Sequence, residues 1–148
     1  LRILLEKIQI SSIYESAALL KPDAPEAWNK PFLNMVCLGE YPSQPEHLLA
    51  HCQQIEQALG KTSAPGSWAP RAIDIDILAF GDRVVNTPIL TIPHPHMQSR
   101  PFVLLPLAEI APGWRHPHLQ KTAAELASTV VSDSACATRK TDYSLNAN

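Results

Sequence analysis

Two carboxylates stand one residue apart in the run Ile73-Asp74-Ile75-Asp76-Ile77-Leu78-Ala79-Phe80. β-Branched and apolar residues dominate residues 73–80, and Gly81-Asp82 follows as a turn, so the run reads as a strand. Side chains alternate faces along a strand, which puts Ile73, Ile75, Ile77 and Ala79 on one side and Asp74 and Asp76 on the other. At a rise of about 3.3 Å per residue the two carboxylate-bearing positions are roughly 6–7 Å apart. Paired anions on an otherwise apolar strand repel each other and resist burial unless a cation or donors compensate them. Such a pair can clamp Mg²⁺; the blander reading is a solvated strand face.

The neighbours favour phosphate chemistry. Arg71 lies three residues upstream, and His94 and Arg100 lie downstream, all of them fixed-charge or donor groups suited to phosphate oxygens. Carboxylates for Mg²⁺ beside cationic forks for phosphate are the parts of a nucleotide-dependent phosphoryl-type transfer. The chain has only five Gly and none cluster, so a nucleotide would be held without a Gly-rich phosphate loop. His94 and His96 flank Pro95, yet no third ligand at zinc-like spacing stands near them.

Several elements must position these groups. Leu1 to Lys7 reads as the tail of a helix, with Leu1, Leu4 and Leu5 on one face and no N-cap ahead. Ile8–Tyr14 reads as a strand leading into Glu15-Ser16-Ala17, and a Pro- and acid-rich connector covers Lys21–Glu26. Phe32–Gly39 is the next predicted strand. It puts Phe32 and Asn34 on one face, where an aromatic ring and an amide could stack on a flat heterocycle and bond its edge, or form a plain core contact. Ser43–Gly60 reads as a helix: Ser43 with Glu46 makes a capping box, Leu48, Cys52, Ile55 and Leu59 form a stripe, and Gly60 supplies the stop. Gln53 and Glu56 share its polar flank.

Lys61–Ala69 is a loop by composition, carrying Trp68, which is costly to expose without a use and could equally be a core plug. Val84-Val85 and Leu90-Thr91-Ile92 are short strands around Thr87-Pro88. A helix starts at Ser99 or Arg100 with Pro101 in its first turn, turning Leu104, Leu105, Leu107 and Ile110 inward until Pro112. Leu119–Val131 reads as a last helix, and the Ser-, Thr-, Asp- and Asn-rich Ser132–Asn148 as a linker or frayed tail.

Composition sets the outer limits. A chain of 148 residues with 45 % apolar content and no long apolar run suits one globular domain without a membrane span. A formal charge of −2 offers no basic field for nucleic acid. The three Cys (37, 52 and 136) are odd in number and unspaced for metal, and read as reduced thiols, Cys37 and Cys52 in the core.

The motif Trp68-x-Pro70-Arg71-x-x-Asp74-x-Asp76-x-x-x-Phe80-Gly81, followed by Pro93-His94 and by Arg100-x-Phe102, resembles the 6-hydroxymethyl-7,8-dihydropterin pyrophosphokinases of folate biosynthesis. The resemblance is strongest over some 35 residues and extends more weakly from Ser12 to about Pro117. It implies an α+β, ferredoxin-like antiparallel sheet with helices packed on it, and a cytoplasmic enzyme. Such an enzyme moves a pyrophosphoryl group from ATP to the pterin hydroxymethyl oxygen and releases AMP.

By the same resemblance Asp74 and Asp76 hold two Mg²⁺ ions, and Arg71 and Arg100 act with them in catalysis. Gln53, Glu56, Arg71, His94 and Arg100 meet ATP. Ser16, Ala17, Phe32, Asn34, Trp68 and Phe102 line the pterin pocket, with Phe32 and Phe102 on opposite faces of the ring and Trp68 as a lid. Where relatives carry several Arg in the 61–69 loop, this chain has only Lys61 before Arg71. The rival reading is a non-catalytic nucleotide- or metal-binding module on the same fold.

The family also begins with a strand and a Gly-Ser-Asn turn that are not found before Leu1. Residues 1–131 are therefore expected to be a pyrophosphokinase domain lacking its first strand. The tail resembles the linker of fusions to dihydropteroate synthase.

Overall fold

The computed structural model describes residues 4–17, 31–60 and 73–130, together with the strand 138–140. Its elements fall into two units, Leu1–Glu40 with His96–Asn148, and Tyr41–Pro95. Arg71, Trp68, the 21–26 connector and Cys136 lie outside the described residues.

In the first unit, β1 (Glu6–Ile10) pairs antiparallel with β4 (Cys37–Glu40), and β2 (Ile13–Ser16) with β3 (Phe32–Asn34). Each predicted strand is thus two, because the ladder bends at Ser11–Ser12 and Met35–Val36. Ser11 bridges the bend, its N–H donating to the Val36 carbonyl at 2.9 Å while its Oγ accepts the Val36 N–H at 2.9 Å. A hydroxyl here replaces a missing ladder bond, so the Val36 N–H is not stranded in the bend. Gly39 is needed beside β1: a Cβ there would sit 2.9 Å from Leu5 Cβ and 3.1 Å from the Glu6 carbonyl oxygen.

Two expectations for the ends change. Glu6 and Lys7, expected in a helix tail, belong to β1, since a ladder partner outweighs the weak helical signal of three leucines. Inside the segment expected to be a linker or tail, β7 (Thr138–Lys140) pairs antiparallel with β2, giving the order β3-β2-β7. Composition reports polarity and cannot register an available strand edge.

Helix α2 (Pro101–Ile110) starts as predicted, with Arg100 at the N-cap and Pro101 in its first turn. It buries Val103, Leu104, Pro106 and Leu107, whereas Leu105 and Ile110 are half-buried. Pro106 has no N–H to give to the Phe102 carbonyl four residues back, which loosens the turn carrying Phe102. Helix α3 (Ala123–Val130) packs on α2 through Leu126, Ala127 and Leu104. It begins later than residue 119 because Thr122 and Glu125 form a capping box: the Glu125 carboxylate accepts the Thr122 N–H and O–H, and the Glu125 N–H donates to Thr122 Oγ1.

The second unit holds α1 (Pro45–Ala58) and the hairpin of β5 (Val85–Asn86) and β6 (Thr91–Ile92). Gln44, not Ser43, is the N-cap, since Pro45 with its fixed φ suits the first helical position and shifts the start by one residue. Ser43 Oγ instead meets His47 Nδ1 at 2.7 Å, and the expected capping box is absent. Gly60 ends the helix in a left-handed conformation, φ +92°. The inner face also departs from the predicted stripe: Leu59 is exposed, and Glu56 is buried beside Cys52. Leu48 and Leu49 pack on a core of Ile77, Val85, Leu90 and Ile92. No helix among the described residues is long and apolar enough to cross a membrane.

The three α-helices and short antiparallel ladders among the described residues make an α+β architecture. Cys52 is buried and Cys37 half-buried, and both thiols are free. Burial pushes the Cys37 thiol above its ordinary value. Burial and then the Glu56 carboxylate do the same for Cys52, so neither is a poised nucleophile.

Candidate active site

Residues 73–77 keep the predicted alternation, and the run 73–80 is not a laddered strand. Ile77 is buried and Ile73 and Ile75 are half-buried, while Asp74 and Asp76 face solvent. Alternation decides which face an extended run buries; a ladder needs a neighbouring strand, and none among the described residues pairs with it. Bonds to other segments hold its backbone. The Ile75 N–H donates to Glu56 Oε1 at 2.8 Å, and the His94 N–H donates to the Leu78 carbonyl at 2.9 Å. The first lies midway between the two aspartates and is made by a carboxylate only 5 % exposed. Glu56, expected on the polar flank of α1, is buried and anchors the Asp74–Asp76 backbone.

His94 reaches back over the same segment, its Nε2 3.9 Å from Asp76 Oδ2. That separation is too long for a hydrogen bond and leaves Asp76, with its side chain 62 % exposed, open to other ligands. His94 Nδ1 is buried with no hydrogen-bond partner among the described residues. Gln53 stands exposed on α1.

Beside Asp76 and His94 lies an open pocket of about 290 Å³. Leu49, Ile75, Ile77 and Pro95 form part of its wall, and the β5–β6 hairpin supplies the rest through Thr87, Pro88, Ile89, Leu90 and Thr91. Sequence reasoning assigned the hairpin no role. The available signal was Ile89, an apolar residue at a Pro-containing turn, which stays 71 % exposed.

The oxygens of Asp74 and Asp76 are hard donors suited to Mg²⁺, and no group of three or more potential protein ligands occurs among the described residues. A pair of carboxylates suits Mg²⁺, which commonly takes one or two carboxylates and completes its shell with water and substrate phosphates.

The remaining candidates lie in the first unit. Asn34 Nδ2 donates to Ser16 Oγ at 3.0 Å and to the Tyr14 and Phe32 carbonyls, each at 3.3 Å. Carbonyls can only accept, so the amide is oriented with its nitrogen toward β2 and its Oδ1 turned away. Ser16 is buried, so its side chain orients Asn34, while Ala17 is exposed. Phe32 is half exposed, as befits a ring available for stacking. The Arg100 guanidinium lies over the Phe102 ring, 5.9 Å from its centroid, at the start of α2. The candidates thus assemble as two groups: Gln53, Glu56, Asp74, Asp76 and His94 in one unit, and Ser16, Ala17, Phe32, Asn34, Arg100 and Phe102 in the other.

Residues 1–112 match the family described as 7,8-dihydro-6-hydroxymethylpterin-pyrophosphokinase (HPPK). A 2-amino-4-hydroxy-6-hydroxymethyldihydropteridine pyrophosphokinase of Synechocystis is 48 % identical over 86 residues, 58 % of this chain and 44 % of the relative. A namesake from Aquifex aeolicus is 36 % identical over 125 residues, 82 % of this chain and 72 % of the relative. The folate synthesis bifunctional protein of Chlamydia caviae is 40 % identical over 108 residues, 73 % of this chain. This chain spans 24 % of the length of the Chlamydia protein and less than half that of the Synechocystis one. With the family match covering most of its length, the chain belongs to the 7,8-dihydro-6-hydroxymethylpterin-pyrophosphokinase family.

Proposed function

We propose that the protein transfers the pyrophosphoryl group of ATP to 6-hydroxymethyl-7,8-dihydropterin and releases AMP, in folate biosynthesis. The observation that carries this reading is the exposed Asp74–Asp76 face beside His94 and the pocket, on a backbone anchored by buried Glu56. Membership of the family supports it.

Asp74 and Asp76 hold Mg²⁺, two ions with ATP bound. Bound Mg²⁺ neutralises phosphate charge and fixes the phosphate oxygens for in-line attack. The pocket, walled in part by Ile75, Ile77 and Ile89, takes the adenine ring. His94 Nε2, Arg71 and Arg100 donate to phosphate oxygens, and Gln53 meets the nucleotide from α1. The pterin ring stacks on Phe32 and Phe102, with Trp68 as lid and Ser16 and Ala17 in the wall. Asn34 Oδ1 accepts a pterin N–H, consistent with its amide nitrogen being engaged by β2. No residue stands out as a general base, so catalysis rests on positioning and charge neutralisation.

We further take the sheet to be ferredoxin-like, the enzyme to be cytoplasmic, and residues 1–131 to be its pyrophosphokinase domain. Relatives named as folate synthesis bifunctional proteins support a fused second enzyme, which we take to be dihydropteroate synthase. The deciding experiment mixes the full-length protein with ATP, Mg²⁺ and 6-hydroxymethyl-7,8-dihydropterin and identifies the nucleotide product. AMP supports the reading, ADP indicates a simple kinase, and binding of both substrates without any product indicates a non-catalytic module.

A further inference from the structure

Helix α2 is tied to β2 by one carboxylate. Glu109 Oε1 accepts the Ser12 N–H at 3.0 Å and the Ser12 O–H at 2.8 Å, and Oε2 accepts the Tyr14 O–H at 3.1 Å. Hydrogen bonds to an ionised acceptor are stronger than neutral ones, and this acceptor receives three. Glu109 also stands seven residues after Phe102. Two helical turns bring residues seven apart back to one face, about 10.5 Å along the axis. The face of α2 that carries Phe102 is therefore the face that Glu109 fastens to β2.

The same strand holds Asn34. The carbonyl of Tyr14, whose hydroxyl donates to Glu109, accepts from Asn34 Nδ2 at 3.3 Å, and Ser16 accepts from it at 3.0 Å. One bonded chain thus runs from α2 through Glu109 and Tyr14 to Asn34 on β3. In the middle of α2, Pro106 withholds the helical bond from the Phe102 carbonyl, so the turn carrying Phe102 is one helical bond short.

We propose that Glu109 is a positioning residue for the heterocycle site, setting helix α2 and its Phe102 against the β2–β3 pair that carries Asn34 and Phe32. This rests on the pterin assignment made above. Glu109 touches no substrate. It acts through Tyr14 on one side and through the helix on the other, and should therefore govern pterin recognition while leaving ATP recognition unchanged.

The test compares wild type, Glu109→Gln, Tyr14→Phe and the double variant in the full-length protein, each checked for a cooperative thermal transition. Gln keeps the size of the side chain and one acceptor but loses the bidentate anion. The KM for 6-hydroxymethyl-7,8-dihydropterin should rise on the order of tenfold in either single variant, the scale of a lost charge-assisted bond, with the ATP KM within about twofold. Because both changes cut one link, the double variant should be no worse than the poorer single one.

An unchanged pterin KM in a folded variant, or parallel rises for both substrates, would reduce Glu109 to a fold clamp and overturn the proposal. Should Glu109→Gln fail to fold, Tyr14→Phe, which removes a single hydroxyl, decides alone by the same criterion. A wild type that binds the pterin without turnover is read by Kd in place of KM. A wild type that neither binds nor turns over pterin overturns the substrate assignment and this proposal with it, whereas an active wild type with indifferent variants overturns only the role of Glu109.

Discussion

The N–H of Ile75 points into the carboxylate of Glu56 at 2.8 Å, so the residue between Asp74 and Asp76 is held from behind by a third, buried acid. The three carboxylates divide the work: one is spent on the backbone, and two are left facing outward. A segment without a strand neighbour among the described residues is thereby held in the register that keeps both aspartates on one face.

Glu56→Ala should cost on the order of 1–3 kcal/mol of stability, because it strands the Ile75 N–H in a partly buried site. Chemical denaturation measures the loss. Glu56→Gln, which can still accept that N–H, should recover most of it, and equal losses for both variants would show that the bond contributes little.

Asp74→Asn and Asp76→Asn should each abolish Mg²⁺-dependent turnover with little change in melting temperature, since both residues are solvent-facing. Near-normal Mg²⁺-dependent AMP release from either variant would remove that residue from the metal site.

Phe32→Ala and Phe102→Ala should weaken pterin binding about 5- to 150-fold, the equivalent of about 1–3 kcal/mol for a lost stacking aromatic. ATP affinity should hold in both. Calorimetric titration with each ligand separates the effects, and matched losses for both ligands would remove the rings from the pterin pocket.

His116 carries the pH expectation. It is buried, its Nδ1 accepts the N–H groups of His118 and Leu119 at 3.3 Å, and burial, then the neighbouring His118, lower its pKa from the ordinary 6.5. A depressed folded-state pKa favours the neutral ring in the native state. The associated stability is fully present above pH 6.5 and is lost as pH falls through the folded value. The melting temperature should therefore drop on acidification below pH 6.5, and His116→Asn should flatten that dependence. An identical pH profile in the variant would assign the acid sensitivity elsewhere.

Much of the chemistry was legible in the chain. The spacing of Asp74 and Asp76 among isoleucines determined a carboxylate face opposite a buried one, because period-two alternation is local and survives without a ladder. Pro101 and Gly60 marked where α2 begins and α1 ends, since their backbone preferences are intrinsic. The family motif named the candidate residues.

Other features depended on partners distant in sequence, and only the tertiary structure decided them. Whether 73–80 joins a ladder depends on which strand lies beside it, and the bend splitting each long strand in two depends on Ser11 meeting Val36 across the pair. Glu56 looked like a solvated helix position and became a buried anchor because the Ile75 amide, nineteen residues on, needed an acceptor. The Glu109 clamp joins residues more than ninety positions apart. A sequence specifies such groups as donors and acceptors, but folding alone determines which donor meets which acceptor.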